Sequence, residues 1–205
     1  MTTYLDYNAT APVLPEVADL VFKLMVEEYG NAGSRTHSFG ATAKQAVEKA
    51  RKQVADVVNA DKSEVIFTSG ATESNNIAIL GLKEYAEKNN KKHIITTAIE
   101  HKAVLEPIEN LVSHGFEVTY IKPAQSGVID VESIGKALRE DTVLVSVMHV
   151  NNEIGIIHPI EEIGKMCKDR RIIFHVDAAQ SAGKLPINVD EMGIDLLSVS
   201  SHKMY

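Results

Sequence analysis

The chain has 205 residues, 44% hydrophobic and 24% charged, which supplies enough apolar material for a buried core and argues against a disordered polymer. A net charge of −7 with no basic stripe excludes phosphate-backbone binding as the main task, so no direct nucleic-acid contact is expected. One cysteine, Cys167, excludes an internal disulfide framework and fits a reducing, cytoplasmic setting; no leader pattern opens the chain, and no apolar run nears membrane-spanning length.

In chain order, the first thirty residues read as an arm followed by a helix at about 15 to 29. Ala43, Ala46, Val47, Ala50, Val54, Val57 and Val58 then recur at helical spacing and predict one long amphipathic helix. Six short β-branched runs follow, at 64–70, 92–98, 116–121, 142–150, 171–178 and 195–201. Several are apolar at nearly every position, as strands covered on both faces are. Helical stretches at 72–89, 101–113, 131–139 and 160–169 separate them. Such alternation implies crossover connections and an α/β fold: a mostly parallel sheet with helices on both faces. No linker divides the chain, which reads as one incomplete large domain over 1–205.

In open α/β sheets, ligands sit beyond the carboxyl ends of the strands, so the residues just after each strand matter most. The first predicted strand runs into "TSGATESNN", a glycine turn with Ala71, Thr72, Glu73 and Ser74 opening a helix. Its free N–H groups and dipole suit an anion or phosphate, although a plain helix cap has the same sequence. The second strand leads to His101 at a helix start, and the fourth to Asn151, Asn152 and Glu153 in a turn. On the fifth, alternation places His175 and Asp177 on one face, with Gln180 just beyond. A carboxylate buried at a strand end needs a cationic partner. His175 alone reads as a satisfied core histidine. A metal site of His175, Asp177 and His202 lacks any supporting ligand spacing, so no metal is expected. The sixth strand ends at Ser200, Ser201, His202 and Lys203. Pyridoxal phosphate (PLP) uses such a set together: a Schiff-base lysine, a carboxylate at the pyridine nitrogen, donors to the 3′ oxygen and an anion cradle.

The motifs "YLDYNATAP", "FTSGATESNN", "EHKAVLEP", "VNNEIGIIHPI", "FHVDAAQSAGKLPI" and "SSHKMY" resemble, in order, those of NifS/IscS-type cysteine desulfurases. These are PLP enzymes of fold type I, related to class V aminotransferases. The resemblance runs across essentially the whole chain. It implies that Lys203 forms the Schiff base and moves protons, and that His101 stacks on the ring and assists proton transfer. Asp177 would face the pyridine nitrogen, and Gln180 and Asn152 the 3′ oxygen, with Asn152 also reaching the substrate carboxylate. Ala71, Thr72, Ser200 and His202 would hold the phosphate. The implied reaction converts L-cysteine to L-alanine and passes sulfur, as an enzyme persulfide, to an acceptor protein for iron-sulfur cluster assembly. A homodimer is implied for the intact enzyme.

Two departures stand out. In the family the persulfide cysteine and a substrate-binding arginine lie far downstream of the lysine, beyond anything in these 205 residues. Cys167 sits in "IEEIGKMCKDR", a helix between core strands, and reads as structural. The chain therefore resembles the front half of a desulfurase. Further upstream, "GNAGSRTH" keeps Asn31, Ser34, Arg35 and His37 but lacks the proline of many relatives, and its wording resembles the branch that supplies sulfur for DNA phosphorothioation. Other readings are a class V aminotransferase or selenocysteine lyase on the same cofactor core, and a non-catalytic half-length interaction fragment.

Overall fold

Strands made of consecutive β-branched residues can bury both faces only if helices cover both. A computed structural model, which describes residues 3–205, shows this arrangement. The chain divides into two units: the residues up to Ile66 together with His202–Tyr205, and Phe67–Ser201.

The larger unit is a five-stranded sheet of β1 (His93–Thr97), β2 (Glu117–Ile121), β3 (Thr142–Ser146), β4 (Ile173–Asp177) and β5 (Leu196–Ser198). The strand order is β2-β1-β3-β4-β5, and every pairing is parallel. Every residue of β1 and β3 is buried, whereas in edge strand β2 only Ile121 is. Ile94 and Leu144 share a register row and join the core built with Ile79 of α3 (Ala71–Leu80) and Val104, Ile108 and Leu111 of α5 (Lys102–Val112). The next row, Ile95, Val145 and Phe174, faces the other way. There Phe174 lies against Gly164 of α7 (Ile160–Arg170). Two short helices, α4 (Lys83–Lys88) and α6 (Val131–Ala137), complete the connections.

From β1 the chain steps outward to β2, then crosses back to β3 and continues in the opposite direction. The order reverses between β1 and β3, which makes their carboxyl ends the natural ligand crevice of such a sheet.

The smaller unit holds α1 (Pro15–Val26) and α2 (Ser38–Val58). α2 is the predicted amphipathic helix, begun earlier because the His37 ring caps it by accepting from the Gly40 N–H. It ends at Asn59 in a left-handed conformation. Only part of its apolar stripe is covered: Ala43, Ala55 and Val58 are buried, and Val57 is exposed.

Three expectations need correction. The run at 64–70 forms no strand: a 3₁₀ turn at Lys62–Glu64 is followed by irregular chain. Val65 N–H bonds to Lys62, the Val65 carbonyl accepts from Arg51 of α2, the Thr68 hydroxyl bonds to Gly70 and Ser74, and Ile66 and Phe67 are exposed. β-propensity cannot make a strand without a partner strand alongside. The helix predicted over 72–89 is two, broken at Gly81 and Leu82. The runs at 142–150 and 195–201 pair over only five and three residues, because the chain turns away at the crevice.

Candidate functional site

Because all five strands are parallel, their carboxyl ends share one edge of the sheet. That edge gathers His101 after β1, Asn152 after β3, Asp177 and Gln180 at and after β4, and Ser200 after β5.

Asp177 is the last residue of β4 and is 5% exposed. Its Oδ2 accepts from Asn75 Nδ2 of α3 at 2.8 Å, and its Oδ1 from the Ala179 N–H at 2.9 Å. Both donors are neutral, so this buried carboxylate is well suited to a cationic N–H. Asn75 is fully buried, and its Oδ1 meets no partner among the described residues. It lies one helical turn beyond Ala71, so the bond ties the start of α3 to the end of β4. At that start Ala71 is half-buried and Thr72 exposed, with the first-turn N–H groups that a helix leaves without intrahelical partners. The Glu73 carboxylate accepts from the Ser69 N–H at 2.5 Å, and that bond first of all holds its acidity stronger than usual.

Two places earlier on the same face of β4, His175 is fully buried. Its ring nitrogens hydrogen-bond Ser146 Oγ at 2.8 Å and Ser198 Oγ at 3.2 Å. Burial depresses its basicity, and the Asp177 charge opposes that only in part. It is the satisfied core histidine of the sequence reading, set beneath Asp177.

His101 caps α5: its Nδ1 accepts from the Ala103 N–H at 3.1 Å. In the neutral ring the proton is therefore on Nε2, and the side chain is exposed. In the turn after β3, Asn151 is the buried anchor. Its Oδ1 accepts from the Glu153 and Ile154 N–H groups, and its Nδ2 donates across the crevice to the Ile99 carbonyl at 3.1 Å. Asn152 and Gln180 are half-buried and Ser200 is buried. Cys167 is fully buried in α7, its thiol pushed up to about 12, chiefly by burial.

His202 and Lys203 belong to the smaller unit. There the His202 carbonyl accepts from the Ala11 N–H at 2.9 Å, and its Nδ1 pairs with the Thr10 hydroxyl at 3.2 Å. Lys203 is half-buried at the end of a short 3₁₀ turn, Ser201–Lys203. Among the described residues no group of three His, Cys, Asp or Glu side chains is placed to hold a metal, and no helix is long and apolar enough to cross a membrane.

The sequence reading assigned no role to Glu100 or Asn75. Glu100 is 6% exposed; its Oε1 accepts from the Thr97 hydroxyl and the Met148 N–H, each at 2.8 Å. The available signal was a carboxylate in a strand-to-helix turn, immediately before His101. For Asn75 it was the four-residue step from Ala71, which puts both on one helix face.

The sheet is that of the PLP-dependent transferases of fold type I, and solved structures match it closely. "SspA in complex with cysteine" superposes with a TM-score of 0.93 at 44% identity, covering 98% of this chain and 58% of that one. DndA from Streptomyces lividans gives 0.86 at 53% identity, covering 98% and 56%. The aminotransferase class-V profile matches residues 3–205, and the chain belongs to that family, whose members depend in general on PLP. Among curated relatives, the cysteine desulfurase IscS of Shewanella sp. (strain W3-18-1) is 56% identical over 204 residues, covering 98% of this chain and 50% of the relative. That of Vibrio campbellii is 55% identical with the same coverage. The chain thus spans about half the length of the curated relatives it matches.

Proposed function

We propose that the chain is the cofactor-binding part of a cysteine desulfurase, which takes L-cysteine to L-alanine and hands the sulfur to an acceptor protein. The observation that carries this reading is Asp177: a buried carboxylate at a strand end beside the crevice, held by two neutral donors and suited to a protonated pyridine nitrogen. The IscS relatives and the cysteine-bound SspA neighbour support the substrate.

When bound, PLP supplies an electron sink that makes the substrate's α-proton removable. The chain's own residues divide the remaining work. Asp177 keeps the ring nitrogen protonated. The N–H groups of Ala71 and Thr72, with Ser200 and His202, receive the phosphate. Gln180 and Asn152 donate to the 3′ oxygen, and Asn152 also orients the substrate carboxylate. His101 covers the ring and, with its proton on Nε2, exchanges protons with the substrate. Lys203 supplies the amine that anchors the cofactor and shuttles the α-proton. Cys167 takes no part, since a thiol so buried and so weakly acidic is a poor nucleophile. The sulfur's destination is iron-sulfur cluster assembly or, in line with the resemblance of "GNAGSRTH", DNA phosphorothioation through partner proteins. The working enzyme is a cytoplasmic homodimer.

The test is to incubate the chain with PLP, reduce with borohydride and map the adduct by mass spectrometry. One reduced PLP on Lys203, absent from Lys203→Ala, is expected; no adduct overturns the cofactor reading. Alanine formed from L-cysteine by the full-length enzyme, with a dithiol reductant releasing the sulfur as sulfide, supports desulfuration. A keto acid formed in its place supports an aminotransferase.

A further inference from the structure

Glu100 sits at the reversal of strand order, on the loop that leaves β1. Its Oε1 receives two hydrogen bonds, one from Thr97 of its own strand and one from the Met148 N–H just past β3. Its Oε2 is buried and meets no partner among the described residues. An ionised carboxyl would leave that oxygen charged, dry and without a donor. A protonated one leaves a single O–H unmade, the smaller penalty. The charged group that faces it is Asp177 at the end of β4, and a second anion beside that carboxylate is disfavoured. Burial, and then Asp177, push the Glu100 carboxyl up to about 8, against the pull of its two hydrogen bonds. Glu100 immediately precedes His101, the residue that caps α5. The bond to Met148 therefore anchors the turn that carries the His101 ring.

We propose that Glu100 is a neutral carboxylic acid strapping β1 to β3 across the crevice, and is the positioning residue for His101. This deepens the desulfurase reading only in what His101 faces; the strap and its proton are properties of the chain without any cofactor.

The experiment is a carbon-13 NMR titration of glutamate carboxyls in the 205-residue chain, with Glu100→Gln assigning the resonance. A Glu100 midpoint above pH 7, moving down in Asp177→Asn, is expected; titration near the ordinary value of 4.5 overturns the proposal. Amide exchange at Met148 gives the second readout. Glu100→Gln keeps a neutral acceptor and should hold Met148 protection and the imidazole nitrogen shifts of His101 at wild-type values. Glu100→Ala should speed Met148 exchange about tenfold, as expected for the loss of a hydrogen bond worth about 1 kcal/mol or more. A Gln variant that behaves like Ala, or does not fold, overturns the proposal. Failure of the wild-type chain to form the PLP adduct defeats the functional reading and leaves these readouts intact.

Discussion

Asn75 and Asp177 lie 102 residues apart in sequence and meet at 2.8 Å in the interior, amide to carboxylate. Removing the amide takes one of the two donors from a buried charge. Asn75→Ala should cost about 1–3 kcal/mol of stability, read from urea unfolding. Asn75→Asp should cost more, because it sets a second carboxylate against the first. An unchanged midpoint in both variants would show that Asp177 does not depend on this contact.

Glu100 makes stability fall as pH rises. Burial pushes the folded carboxyl from the ordinary 4.5 up to about 8, so between them the folded chain keeps a proton that the unfolded chain has released. Glu100→Gln has no such proton. Relative to wild type, the variant should gain on the order of 3 kcal/mol between pH 4 and pH 7, the difference levelling off above pH 8. Paired urea titrations across that range check this, and a pH-independent difference would contradict it.

His175 has the opposite slope. Its ring is held neutral below the usual imidazole value of 6.5, so in more acidic solution the unfolded chain binds a proton that the folded chain refuses. Its contribution is complete above about pH 6.5 and is lost as pH falls. The stability difference between wild type and His175→Gln should therefore shrink on acidification and stay flat above neutrality. A difference that grows in acid would mean that the buried ring is protonated.

Cys167 should be silent towards electrophiles. Buried and weakly acidic, it presents almost no thiolate at pH 8. Iodoacetamide should label it only as fast as the domain opens, with urea restoring the rate of a free thiol. Rapid labelling of the native chain would contradict its burial.

Gly164 tests the packing of α7. A methyl group on its Cα would stand 1.8 Å from the Met192 carbonyl oxygen. Neither helix nor backbone turn yields cheaply, so Gly164→Ala should destabilise by about 1–3 kcal/mol despite alanine's better helix propensity. A more stable variant would show the 188–194 turn to be loose.

The sheet was legible because its evidence is local. "HIITT" and "TVLVS" are β-branched or apolar at every position but His93 and Ser146, and they form the two fully buried strands. The alternation of His175 and Asp177 likewise showed that they share a face. What failed was non-local: 64–70 has strand residues and no strand beside it. Asn75 and Glu100 went unread for the same reason. Each is a polar side chain whose meaning comes from a partner far along the chain, Asp177 in one case and Met148 in the other.

The reversal of strand order also bears on how the molecule assembles. Hydrogen-bonded side chains within β2-β1 lie 26 residues apart at His93 and Thr119, and those within β3-β4-β5 lie 29 and 23 apart at Ser146–His175 and His175–Ser198. Thr96 and Ser146, facing each other across the reversal, are separated by 50. Doubling a loop adds only about 0.6 kcal/mol of closure entropy, yet it makes this pairing the costliest to initiate. Each sub-sheet is thus held by the shorter closures, and the two meet along the β1–β3 line. The ligand crevice coincides with the joint at which the sheet makes its longest-range pairing.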